Sequence, residues 1–168
     1  MRRKNIDEEF IRDCVAEALS QLAKEKSYND ISVVDICKRA GIGRTTFYRY
    51  FTNPDGKKNV LFYKIARDWG IYSEKHSESL KANSSQALIN YIYEEKEQFI
   101  WLYKNELINI IFEIFYASTV MDPRKQNQTL YADAFLAGGL FGVVYQLCKN
   151  EFRENPEIIT EHLSKGFF

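Results

Sequence analysis

Nineteen residues, Val33–Phe51, reading VVDICKRAGIGRTTFYRYF, restrict the fold more than any other part of the chain. Ser32 and Asp35, three positions apart, form a capping-box pair, so a helix opens at Ser32. Gly41 follows Ala40 and can take the left-handed backbone that ends a helix. Ile42 then plugs the core, and Gly43 stands at the N-cap of a second helix, Arg44 to about Tyr50. At 100° per residue, Phe47 and Phe51 share an inner face, while Thr45, Thr46 and Arg49 point away. Arg44 and Tyr48 lie at the edges, one turn apart. A helix this short is marginal alone. It must pack on its neighbours, which is the construction of a helix-turn-helix.

The remaining pattern is helical. A first helix is expected from Asn5, capped with Glu8, to about Lys26. Its apolar stripe is Phe10, Ile11, Cys14, Val15, Ala18, Leu19 and Leu22. Thr52-Asn53-Pro54-Asp55-Gly56 reads as a turn, followed by a long helix from Lys57 into the seventies. Residues 81–85 read as a loop. Further helices are expected near 86–104, 106–119 and 128–153, with Met121-Asp122-Pro123 as a break, and from Pro156 to the C-terminus. No strand-like alternation or internal repeat competes. The expectation is an all-α chain: an N-terminal three-helix DNA-binding domain over residues 5–68 and a C-terminal helical bundle over residues 69–168 that forms a dimer.

The net charge of zero averages two unlike halves. Met1–Gly70 carries 14 Lys and Arg against 10 Asp and Glu, and Ile71–Phe168 carries 9 against 13. Between Ile36 and Arg67 eight basic residues face one acid, Asp55. A basic patch beside an acidic body is a footprint for a polyanion, although a solvated charged face looks similar.

Groove recognition needs a helix whose N-terminal residues reach base edges, with other groups on phosphates. Arg44 can pair with guanine O6 and N7, and Thr45 can offer a methyl or a hydroxyl. Arg49 can reach a base or a phosphate. Thr46, Tyr48 and Tyr50 suit phosphates through their hydroxyls, although Tyr50 can equally pack on the first helix or on the long helix that starts at Lys57. The helix opening at Ser32 favours a phosphate, and Lys57 or Lys58 can clamp the same backbone.

Ala40–Phe51, AGIGRTTFYRYF, resembles the signature of the TetR/AcrR family of bacterial regulators, and Phe135–Asn150, FLAGGLFGVVYQLCKN, is similar to that family's penultimate, dimer-forming helix. The resemblance implies base reading by Arg44, Thr45 and Tyr48, and phosphate contacts from Thr46, Tyr50 and the lysine, Lys57 or Lys58, that opens the long helix. It implies a cytoplasmic bacterial repressor that binds a palindromic double-stranded operator as a homodimer and is released by a small-molecule inducer. The alternative is a co-regulator of the same type, without its own ligand and controlled by a protein partner. Three features depart from the family pattern: Gly43 where Ser is frequent, a longer link after Phe51, and a short chain.

In the C-terminal half, Gly138, Gly139 and Gly142 each cost about 1 kcal/mol in a helix interior. A close helix pair would explain them, with Gly138, Phe141, Gly142 and Tyr145 at the interface; a tight intrachain core is the other explanation. The resemblance also implies an inducer pocket enclosed by this half's aromatic layer, with Trp69, Tyr72, Phe99, Tyr103, Phe112 and Tyr116 as lining candidates, against plain core packing. Paired catalytic acids, a Ser/His/Asp set and metal-ligand spacing are not recognised, so no enzyme, cofactor or metal is expected. Cys14, Cys37 and Cys148 read as buried thiols, and His76 and His162 as surface residues. No stretch reads as a membrane span, since the longest uncharged apolar run, Ala134–Tyr145, falls short of the roughly 20 residues a bilayer needs.

Overall fold

The computed structural model describes residues 8–52, 55–119 and 129–165. Among them are ten α-helices, one short 3-10 turn and no strand. The chain divides into two compact units, Met1–Asp68 and Trp69–Phe168. The expected cap at Asn5, the Asn53-Pro54 turn, the Met121-Asp122-Pro123 break and the last residues of the final helix lie outside the described residues.

In the first unit, α1 (Glu8–Ala23) buries Val15, Ala18, Leu19 and Leu22, a stripe at helical spacing. Phe10, expected on that stripe, is exposed, and the helix stops three residues short of Lys26. A 3-10 turn, Tyr28–Asp30, leads to α2 (Val33–Ala40) and α3 (Arg44–Tyr50). The α2 capping box is present: Asp35 N–H donates to Ser32 Oγ and Ser32 N–H donates to Asp35 Oδ2, each at 3.1 Å. Gly41 takes φ 69°, as the left-handed stop requires.

Phe47 and Phe51 are both buried, their ring centroids 5.6 Å apart. The long helix α4 (Gly56–Lys75) begins against them. Gly56, which composition marks as a turn residue, is buried, and a Cβ there would lie 2.9 Å from both the Phe47 ring and the Phe51 carbonyl oxygen. The carbonyl cannot move aside cheaply. Gly56→Ala is therefore expected to destabilise this unit by about 1–3 kcal/mol. Chemical denaturation of the variant checks it, and an unchanged midpoint would refute the close approach.

The second unit comprises the C-terminal part of α4 with α5 (Ser77–Ala82), α6 (Ser84–Glu94), α7 (Lys96–Lys104), α8 (Asn109–Thr119), α9 (Leu130–Lys149) and α10 (Pro156–Lys165). The helix expected over 86–104 is two helices, divided at Glu95, whose N–H bonds back to Tyr91 O and Tyr93 O. The expected loop over 81–85 shrinks to Asn83, whose side chain accepts from Gln86 N–H at 3.0 Å and caps α6. After α7 the chain turns through Glu106 at φ 60°, and Leu107 N–H closes on Leu102 O at 2.8 Å. None of these stops carries the glycine or proline that marks a break in sequence.

α9 is long and apolar enough to cross a membrane by length and composition, contrary to expectation, and only 17% of its most apolar window is buried. Leu130, Tyr131, Phe135, Leu136 and Tyr145 are exposed along it, with Tyr131 at 87% and Phe135 at 65%. Gly138 and Gly142 are exposed as well, and a Cβ added to either, or to Gly139, would meet nothing within 4 Å. Among the described residues nothing packs closely on the three glycines.

Candidate nucleic-acid interface

The helix-turn-helix sorts its side chains by exposure. Phe47 is fully buried, while Arg44, Thr45, Tyr48 and Arg49 are exposed and Thr46 and Tyr50 are half-buried. Tyr48 stands edge-on to the Phe47 ring at 5.3 Å, so its phenol is braced from below and open above. Ser32, at the start of α2, is exposed beside its own cap. Tyr50 and Tyr63 both lie under the Arg12 guanidinium, at 5.9 and 5.8 Å from their ring centres, a cation-π bracket between α1, α3 and α4. Packing on α1 is therefore part of what Tyr50 does.

At least four of the eight basic residues between 36 and 67 are engaged inside the unit. Arg39 holds Glu25, with both guanidinium nitrogens 3.1 Å from the carboxylate. Lys64 pairs with Asp68 at 2.5 Å. Arg67 reaches Asp13 at 2.7 Å and Asp68 at 3.1 Å. Lys57 is turned inward: its ammonium donates to Ile31 O at 2.8 Å and Tyr28 O at 3.1 Å, and lies 4.2 Å from the Tyr28 ring centre. A lysine spending two donors on carbonyls fastens the 3-10 turn to the start of α4, and a phosphate can claim only what is left. The local charge excess is thus partly structural, and Lys38, Arg44 and Arg49 are exposed members on α2 and α3 outside the pairs just described.

The Arg67–Asp13 contact is part of the brace between α1 and α4. Burial raises the Asp13 carboxyl, but hydrogen bonds from Arg67 and from Tyr63, the latter at 2.8 Å, outweigh it and hold that carboxyl below the usual range. Burial and the same carboxylate push the Tyr63 phenol up to about 12. Asp35 is also held low, first by the Ser32 backbone N–H and then by the Ser32 hydroxyl.

Sequence reasoning missed Arg12 and Gly56. The signal for each lies in its partner: Tyr50 and Tyr63 for one, the Phe47–Phe51 pair for the other.

The aromatic candidates of the second unit fall into two groups. Trp69 stacks on Tyr72 at 5.9 Å and meets Tyr91 edge-on at 5.1 Å, while Phe99, buried, meets Tyr91 at 6.3 Å. Tyr103 contacts Tyr145 at 5.3 Å, and Phe112 contacts Tyr116 at 5.6 Å and Phe141 at 5.8 Å. Each of the six packs on at least one other ring. Two clefts among the described residues, of about 170 and 360 Å³, are lined by none of them. His76, expected at the surface, is half-buried against Tyr72 at 4.2 Å, with a buried Nδ1 that has no partner. The three cysteines are free thiols, and burial pushes Cys148 up to about 11.

A short α2, a left-handed glycine stop and a seven-residue α3 with a buried inner and a polar outer face define a helix-turn-helix DNA-binding module. Residues 16–56 match the family model described as bacterial regulatory proteins, tetR family. Over those residues the chain is similar to that family of bacterial regulators, and the matched stretch takes in the helix-turn-helix. An uncharacterized HTH-type transcriptional regulator of Haemophilus influenzae is 41% identical over 44 residues, which are 26% of this chain and 22% of that protein. The chain thus spans about a fifth of the length of this relative.

Proposed function

We propose that the chain is a homodimeric regulator of transcription in the bacterial cytoplasm, acting as a repressor on a two-fold symmetric operator. The observation that carries this reading is the division of α3: Phe47 is wholly buried while Arg44, Thr45, Tyr48 and Arg49 are offered to solvent on one helix. Arg44, at the first helical position, is placed for a guanine edge, with Thr45 beside it. Tyr48 and the amides of the α2 N-terminus at Ser32 suit phosphates. Thr46 and Tyr50 serve the backbone at the margin of the contact, and Lys57 chiefly braces the turn.

Pairing through α9 supports the symmetric part of the reading. Tyr131, Phe135, Gly138, Gly142 and Tyr145 recur at helical spacing and are all exposed, with Phe141 half-buried next to them. A second copy would cover this face and give the exposed glycines a use, as a two-fold interface does. It would also provide the second recognition helix that half-sites about one turn (~34 Å) apart require.

The packed rings around Trp69, Tyr72, Phe99, Tyr103, Phe112 and Tyr116 favour a core over an inducer chamber at those residues. Release by a ligand or by a protein partner then acts from elsewhere on the second unit.

Selection of bound sequences from random duplex DNA tests the reading. The expected product is a palindrome. Arg44→Ala should weaken binding to it by roughly 10–100-fold and relax one base position. Tyr48→Ala should weaken binding to all sequences alike, and both variants should keep their helix content. Unchanged affinity in both would overturn the assignment of α3.

A further inference from the structure

The first turn of α4 touches both helices of the helix-turn-helix through neighbouring residues. Gly56 lies buried against the Phe47 ring of α3. Lys57 reaches the stretch that leads into α2. Its ammonium donates to Ile31 O at 2.8 Å and to Tyr28 O at 3.1 Å, and it stands 4.2 Å over the centre of the Tyr28 ring. A second tie runs beside it. The Tyr28 hydroxyl donates to Asp55 Oδ1 at 3.4 Å, and the same oxygen accepts from Lys58 N–H at 3.1 Å in the opening turn of α4.

The Ile31 carbonyl decides what Lys57 can do. Ile31 is wholly buried, so its oxygen has no access to water. Withdrawing the ammonium would strand that oxygen, which costs more than a solvated ion pair at the surface returns. It would also forfeit the face of the Tyr28 ring, a cation-π contact that is stronger where water is partly excluded. Ile31 is bonded to Ser32, whose hydroxyl and N–H close the α2 capping box. Fixing the Ile31 carbonyl therefore fixes where α2 begins, and the eight residues of α2 carry that position to Gly41 and α3. Without Lys57 the Phe47 contact at Gly56 would still hold α3, but the start of α2 would keep only the long Tyr28–Asp55 tie.

We propose that Lys57 is a positioning residue for DNA binding: in the complex its ammonium stays on the Tyr28 and Ile31 carbonyls, sets the start of α2 against α4, and takes no phosphate. The proposal rests on the reading of the chain as a DNA-binding regulator. A cation beside the DNA-facing helices thus acts inward, and its charge releases no counterion from the duplex.

The test compares the unmutated chain with Lys57→Met on the duplex that selection returns, over a range of salt concentrations. Each phosphate neutralised by a protein cation adds about 0.9 to the slope of log affinity against log salt. Lys57→Met is expected to keep its helix content and to lose about tenfold in affinity, with the slope unchanged. A slope smaller by about one would make Lys57 a phosphate ligand and overturn the proposal. Unchanged affinity would overturn it too, because the tie would then serve stability alone. The unmutated protein gives a readout that needs no variant to fold. Lying over the Tyr28 ring, the Lys57 ε-methylene protons should be shifted upfield by its ring current, in free and in DNA-bound protein alike. Loss of that shift on the duplex would show that the ammonium has left the turn. If the unmutated chain binds no duplex at all, the regulator reading fails and the proposal with it, an outcome distinct from a bound duplex with a reduced slope.

Discussion

Phe47→Ala is expected to unfold the DNA-binding unit. The side chain has no solvent exposure, meets Tyr48 edge-on and Phe51 at a tilt, and fills the space against Gly56. Truncating a buried phenylalanine costs about 3–5 kcal/mol, a transfer loss plus a cavity. Domains of this size hold only about 5–15 kcal/mol in total, and small ones lie at the low end. The α3 helix has seven residues and cannot persist unsupported. Circular dichroism and urea denaturation of residues 16–56 in their full-chain setting should show a lost or much earlier first transition. Tyr48→Ala, one position along and exposed, should leave that transition in place while DNA binding weakens. Equal stability losses in both variants would mean that α3 does not divide into an inner and an outer face.

Gly138→Leu with Gly142→Leu is expected to leave a folded monomer that has lost the operator. Among the described residues a Cβ at either site meets nothing within 4 Å, and leucine is the better helix former by about 1 kcal/mol per site. The helix itself should therefore gain stability. Against a second copy the same side chains would hold two helices apart. If pairing links two recognition helices, its loss removes an effective-concentration gain of about 10²–10⁴ in operator affinity. Sedimentation and duplex binding read the two effects separately. A double variant that remains dimeric and binds DNA normally would sink the α9 pairing face.

The exposed apolar length of α9 bears on this result. In an unpaired chain Tyr131 and Phe135 would form an exposed apolar patch of the kind that marks an interaction surface. A partner copy removes that surface from water and needs no lipid to do so. If α9 pairs as proposed, the apolar composition of the helix and its three glycines would have one cause.

Much of the first unit was legible in the sequence because its determinants are local. The Ser32–Asp35 box needs three residues of separation, the Gly41 stop needs one backbone dihedral, and the Phe47–Phe51 register needs the helical period. The same locality explains the match of residues 16–56 to a family of regulators. The second unit was legible as helices and less so as a site. Its breaks at Glu95 and Glu106 have ordinary residues in turn conformations, held by backbone bonds that composition does not encode. Its aromatic residues follow helical spacing whether they line a pocket or pack against each other, so spacing does not separate the two.

The sequence by itself determined an all-helical chain, the place of the recognition helix and which of its residues face inward, since each of these follows from spacing within a few residues. Only the tertiary structure decided that Lys57 is turned onto the Tyr28 and Ile31 carbonyls, that Gly56 is pressed against Phe47, and that the α9 glycines face open space. Those three facts depend on groups brought together from distant parts of the chain. A donor's partner, or the lack of one, exists only once the helices have packed.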